Sequence, residues 1–325
     1  MRPALTALLA LAAAPALAQD KPVLTVLTYD SFTAEWGPGP AVEAAFEAEC
    51  GCDLRFVTGG DGAALLARLR LDGEATEADV VLGLDANLIA AARGTGLFAP
   101  HGPAAGLVLP VEWTDDTFLP FDWGWFSVVG KAGGPVPRSF RELAESDASL
   151  VIEDPRSSTP GLGLVLWIEA AYGAEAPAIW ESLRDNIVTV TPGWSEAYGL
   201  FLEGEADLVL SYTTSPAYHL IAEEDPGFVA LPFEEGHYLQ VEVAGKVAST
   251  DQGELADRFL AFMLTEGFQA AIPTGNWMYP AVTPAAGLPE GFESVRPEAT
   301  LYLAPEEAEA LRGPAIERWR TALAQ

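Results

Sequence analysis

Aromatic side chains recur where β-rich runs of this sequence hand over to helical ones: Tyr29, Trp194, Tyr212, Tyr218 and Trp277. Aromatic faces attract cations, each contact contributing about 0.5–2 kcal/mol, and they stack on flat heterocycles. A single such residue is most simply core or wall packing, but five on separate loops are harder to explain that way. Asp61, within Gly59-Gly60-Asp61-Gly62, adds a carboxylate that can accept hydrogen bonds, balance a cation or cap a helix. Ser157, Ser158 and Thr159, ahead of Pro160-Gly161, place hydroxyl donors at a helix start, where free backbone N–H groups favour an anion such as phosphate. The set points to a flat cationic heterocycle with a place for a phosphate.

Catalytic alternatives are narrow. His101, His219 and His237 are scattered, with no His-Glu-x-x-His pair and no phosphate-loop motif, which disfavours a metallohydrolase or a nucleotide hydrolase. Gly193-Trp194-Ser195-Glu196-Ala197 resembles a hydrolase nucleophile elbow, with Ser195 as nucleophile and His219 or His237 as base. Ser195 also reads as an ordinary helix N-cap, which is the simpler assignment. No metal site, cofactor or catalytic residue is expected.

The elements that must position these residues alternate between strand and helix. Residues 23–28, 54–58 and 78–84 read as strands, followed by helices from about residue 40, over 63–71 and over 87–93, with Asp85 as a cap. The rhythm repeats with strands at 150–153, 188–190 and 207–212 and helices at 162–172, 196–202 and 217–223. Such alternation implies an α/β protein with mostly parallel sheets, whose ligands bind at the carboxyl ends of the strands. Residues 118–129 and 238–247 lack helical periodicity and read as strands crossing between two lobes. Lobe I is then 19–118 plus 240–325, which includes the C-terminal helices, and lobe II is 119–239. Residues 305–324 read as a helix interrupted at Gly313-Pro314.

The chain of 325 residues carries 17 Lys and Arg against 47 Asp and Glu, a net charge of −30. That balance excludes a nucleic-acid binder, whose affinity comes from clustered cations, and fits a protein that concentrates a cation. Half the residues are apolar, so the acidity is not a signature of disorder. Residues 1–18, with Arg2, an apolar run and Ala16-Leu17-Ala18, read as a signal peptide, and no Cys follows that would anchor a lipid. The rest reads as soluble, with no stable membrane insertion. In an oxidising compartment Cys50 and Cys52 can close a small ring across permissive Gly51, or remain two free thiols.

Several blocks resemble the periplasmic thiamine-binding proteins of bacterial ABC importers. They include Thr28-Tyr29-Asp30-Ser31-Phe32 with Trp36-Gly37-Pro38-Gly39-Pro40, the run 78–85, and Asp154-Pro155-Arg156-Ser157-Ser158-Thr159-Pro160-Gly161. Others are Gly193-Trp194-Ser195-Glu196-Ala197-Tyr198, Ser211-Tyr212-Thr213-Thr214-Ser215-Pro216-Ala217-Tyr218, the run 235–242 and Gly275-Asn276-Trp277-Met278-Tyr279-Pro280. The resemblance implies a two-lobed type II periplasmic binding fold that holds thiamine or its mono- and diphosphate between the lobes. It implies ligand contacts at Tyr29, Asp61, Ser158, Trp194, Tyr212, Tyr218 and Trp277, a Cys-x-Cys pair at Cys50 and Cys52, and a monomer that delivers to a membrane permease and its ATPase. Departures at 58–60 and 107–110 flank the site. Binders of ferric ion or a polyamine are the alternatives on the same fold; iron-binding relatives present adjacent tyrosines, whereas Tyr212 is followed by Thr213.

Overall fold

A computed structural model describes residues 21–102, 104–292 and 296–324. The expected signal peptide, residues 1–18, lies outside the described residues.

The first run of strands and helices is β1 (Val23–Thr28), α1 (Asp30–Thr33), α2 (Gly39–Cys50), β2 (Asp53–Thr58), α3 (Gly62–Asp72), β3 (Val80–Asp85), α4 (Ile89–Arg93) and β4 (Phe98–Ala99). β1 lies between β2 and β3, parallel to both. β3 is buried along its whole length, which is why its sequence is nearly continuous in Val and Leu instead of alternating. Cys50 and Cys52 form a disulfide across Gly51, which takes a left-handed φ of 66°. That conformation costs glycine little.

The chain then runs through β5 (Phe118–Lys131), α5 (Phe140–Glu145), β6 (Leu150–Glu153), α6 (Thr159–Tyr172), α7 (Ala176–Leu183), β7 (Ile187–Thr191), α8 (Trp194–Glu203), β8 (Leu208–Tyr212), α9 (Ser215–Ala222) and β9 (Phe228–Ala230). β6 pairs in parallel with β7 and β8. α6 is apolar on almost every side because it is buried on almost every side. Return to the first sheet comes through β10 (His237–Val247), followed by α10 (Gly253–Phe262), α11 (Glu266–Gln269), β11 (Tyr279–Pro280), β12 (Thr300–Leu301) and α12 (Pro305–Leu323).

The strand order is β2-β1-β3-β10-β5-β8-β6-β7. Residues 118–125 of β5 pair with β10 in the first sheet, and residues 126–130 pair with β8 in the second. One continuous strand thus belongs to both sheets, and the cleft lies where it passes between them.

Two local expectations are corrected. α12 is continuous through Pro314, because Ala308, Ala315, Trp319 and Ala322 form a buried stripe that holds the helix against α6 and α7 despite the missing N–H. Ser195 is not a cap: α8 starts one residue earlier, at Trp194, and Gly193 takes the cap position.

Candidate functional site

A cavity of about 430 Å³ opens between the two sheets, within the range of small-ligand pockets. Tyr29, Asp61, Trp194, Tyr212, Tyr218 and Trp277 line it, so six of the seven expected site residues converge there from loops that are far apart in sequence. Ser158 is fully buried beside it and is not part of the lining. The apolar character of the wall comes from these rings, and the helices α6, α8 and α9 aim their first turns at it through Thr159, Pro160, Trp194 and Ser215. The positive ends of these helix dipoles suit an anion, although the first N–H of α8, that of Trp194, is taken by Asp61.

Each aromatic is held by identifiable neighbours. Tyr29 follows β1 and donates its hydroxyl to Glu242 Oε2 at 3.0 Å, while its ring lies over Gly83. Burial and the adjacent carboxylates push the Tyr29 hydroxyl well above its usual range, so it acts as a donor. Trp194 stacks on Tyr198, with ring centroids 5.0 Å apart, and donates Nε1–H to Ser211 Oγ at 2.8 Å. Ser211 shares a hydrogen bond with Ser215, which also accepts from the Tyr212 N–H. Trp277 caps a π-helical turn, Ile272–Asn276, with φ 55°, a conformation uncommon for any residue with a side chain and concentrated at functional positions. Its ring meets Tyr218 edge-on across the cleft at 5.3 Å, and Trp36 approaches Trp194 at 6.3 Å.

Asp61 precedes α3 without capping it through its side chain. The carboxylate instead reaches the second lobe, where Oδ2 accepts from Ser158 Oγ at 2.9 Å and from the Trp194 N–H at 3.1 Å. The hydroxyl of Ser158 is therefore engaged by Asp61. Loss of solvent raises the Asp61 carboxyl to about 6 in spite of these two donors. Two further bonds join the lobes beside it, Gly62 N–H to Thr159 Oγ1 and Ala64 N–H to the Ser157 carbonyl, both 3.1 Å. The cleft is closed.

The hydrolase alternative lacks a base. His219 places Nδ1 against Glu223 at 2.6 Å and Nε2 against the Tyr198 hydroxyl at 2.8 Å. His237 pairs Nδ1 with the Phe126 carbonyl, and its Nε2 accepts from the Phe233 N–H. Among the described residues no group of three His, Cys, Asp or Glu side chains is placed to hold a metal ion.

Sequence reasoning missed Glu242, Asn276 and Tyr198, all of which line the cavity. The signal for Glu242 was present: it is the single acid within the otherwise apolar and neutral run Tyr238-Leu239-Gln240-Val241-Glu242-Val243-Ala244, and Asp122 stands out likewise in Leu119-Pro120-Phe121-Asp122-Trp123. A lone carboxylate in a buried strand requires a reason.

Residues 33–270 match the family model of the bacterial extracellular solute-binding proteins. The chain is 54% identical to the thiamine-binding periplasmic protein of Escherichia coli strain K12 over 98% of each chain, and 49% identical to that of Brucella abortus over 95% of this chain and 94% of the relative. A solved periplasmic thiamin binding protein shares 54% identity and superposes with a TM-score of 0.90 over 94% of this chain and 97% of its own. Iron-bound HitA from Pseudomonas aeruginosa, at 18% identity and TM-score 0.75 over 93% of this chain and 99% of its own, shares the two-lobed fold. Proteins of this family bind solutes without converting them. With two lobes joined by a common strand, a cavity between them and relatives of this kind over nearly its full length, the chain belongs to the bacterial extracellular solute-binding proteins.

Proposed function

We propose that the cleft captures thiamine, together with its mono- and diphosphate, in the periplasm and delivers it as a monomer to the permease and ATPase of an ABC importer. The observation that carries this reading is the wall of aromatic rings contributed by both lobes, in a chain whose relatives at 49–55% identity are thiamine-binding periplasmic proteins. Tyr29, Tyr218 and Trp277 are assigned to the ligand rings, where stacking and cation–π attraction act together. The first turns of α6, α8 and α9, with Trp194 and Tyr212, are assigned to the hydroxyethyl or phosphate end. Asp61 and Ser158 are assigned to closure, since their polar atoms bind each other across the cleft.

Ligand acts by population shift. Only the closed arrangement brings Tyr218 and Trp277 within reach of one molecule, so thiamine binds that state better and stabilises it in proportion. Isothermal calorimetry on refolded, ligand-free protein tests the reading. A saturable one-to-one heat with thiamine is expected, and no heat at micromolar concentrations would refute it.

A further inference from the structure

Three carboxylates stand in one row beneath the cavity. Glu242 on β10 lies directly across from Asp122 on β5 and from Asp85 on β3. Directly opposed residues of antiparallel strands project to the same face of a sheet. All three are buried in the protein interior, and Glu242 alone lines the cavity. The strand is irregular at this point, with register shifts after Glu242 on the β5 side and after Val243 on the β3 side, the kind of bulge that re-aims a side chain beside a site.

The hydrogen bonding of the row is incomplete. Tyr29 donates to Glu242 Oε2, and Asn276 Nδ2 donates to Asp122 Oδ2 at 2.5 Å and, more weakly, to Glu242 Oε2 at 3.4 Å. Asp85 accepts from Asn87 Nδ2 at 2.6 Å. Asp85 Oδ1 is buried with no partner, and the Asp122 and Glu242 carboxyls share a hydrogen bond that requires one of them to hold a proton. Asp61, the other acid at the cavity, already accepts two bonds from the opposite lobe.

We propose that Glu242, backed by Asp122 and Asp85, is the counter-charge for the fixed cation of the ligand and the residue by which the cleft prefers a cationic ring to a neutral ring of the same shape. The inference rests on the thiamine reading above. The groups acting on Glu242 are Asp122 from β5, Tyr29 after β1, Asp85 from β3, Tyr212 at the end of β8 and Asn276 of the π-helical turn. Burial, followed by the Asp122 charge, raises the Glu242 carboxyl well above its usual range, and burial lifts Asp122 and Asp85 to about 7. In the empty cleft near neutrality the row therefore keeps protons. A cation above Glu242 favours the ionised carboxylate, and a proton leaves for bulk water as the ligand enters. By linkage, affinity for a cationic ligand rises with pH until the Glu242 carboxyl of the ligand-free protein has itself lost its proton.

Calorimetry of the ligand-free full chain near pH 7, in buffers of differing ionisation enthalpy, tests this with thiamine and with an analogue whose thiazolium is replaced by uncharged thiophene. For the wild-type protein we expect proton release with thiamine, none with the analogue, and tighter binding of thiamine. Glu242→Gln should weaken thiamine at least tenfold, abolish its proton release, and leave the analogue within about threefold. Equal losses for both ligands would overturn the proposal, because Glu242 would then act only by holding Tyr29. Should Glu242→Gln fail to fold, Asp122→Asn decides: the rise of thiamine affinity should move to lower pH, and an unmoved profile overturns the proposal. Wild-type protein that binds both ligands equally overturns this inference alone, whereas wild-type protein that ignores thiamine overturns the functional reading as well.

Discussion

Asp61 shows how much one side chain can contribute to the state of the molecule. Its two bonds to the second lobe are charge-assisted when it is ionised, a type that contributes about 1.5–3 kcal/mol each when buried. Both exist only while the lobes are together. Asp61→Ala should shift the ligand-free protein toward an open form, visible as a larger radius of gyration in small-angle X-ray scattering. It should also weaken thiamine by roughly tenfold to a hundredfold, since 1.4 kcal/mol corresponds to a factor of ten; unchanged scattering and affinity would remove Asp61 from closure. The sequence showed Asp61 as an acid in a glycine loop but could not show its partners, because Ser158 and Trp194 lie 97 and 133 residues further along the chain. Trp277 was legible as a loop aromatic, whereas its left-handed backbone was not, since nothing in the residue type favours that conformation.

At the scale of elements, the handover from β1 depends on the strand beside it. Gly83 in β3 has φ 103°, and a Cβ there would sit 2.1 Å from Tyr29 Cδ1. Gly83→Ala should therefore displace the Tyr29 ring and break its bond to Glu242. The expected cost is about 1–3 kcal/mol in urea denaturation, with weaker thiamine binding; unaltered stability would mean that the ring has another place to go. The strands and helices themselves were largely readable, since buried parallel strands are apolar throughout and each is followed by a polar loop. Pro314 was misleading for a definite reason. A proline predicts a break from local chemistry alone, whereas α12 is held from outside by Trp319 and the buried alanines. Tertiary packing of that kind leaves no local trace.

For the molecule as a whole, charge and burial act in the same direction. Asp85 and Asp122 are raised to about 7 and Asp61 to about 6, and Glu153 and Glu242 well above their usual range, all by burial first. These groups hold protons in the folded protein at pH values where the unfolded chain, with carboxyls near ~4, has lost them. Their stabilising contribution is complete below that range and disappears as pH rises through the folded values. The net charge of −30 adds self-repulsion that acid relieves. Tm followed by circular dichroism should accordingly be higher at pH 5 than at pH 8, and Asp122→Asn should flatten the difference; a Tm that climbs toward pH 8 would contradict the assignment of buried, protonated acids.

The division of β5 between the two sheets has a consequence for engineering. Residues 118–125 complete the first sheet and 126–130 complete the second, so at this crossing the lobes are joined by a strand and not by a linker that could be cut. A chimera that exchanges one lobe with a relative, to move a ligand preference or a docking face, must either carry the whole strand as part of the graft or match its twist at Trp125 and Phe126. A junction placed off that boundary would pair part of one lobe's sheet with a strand segment from the other parent, whose cross-strand neighbours are not matched to it.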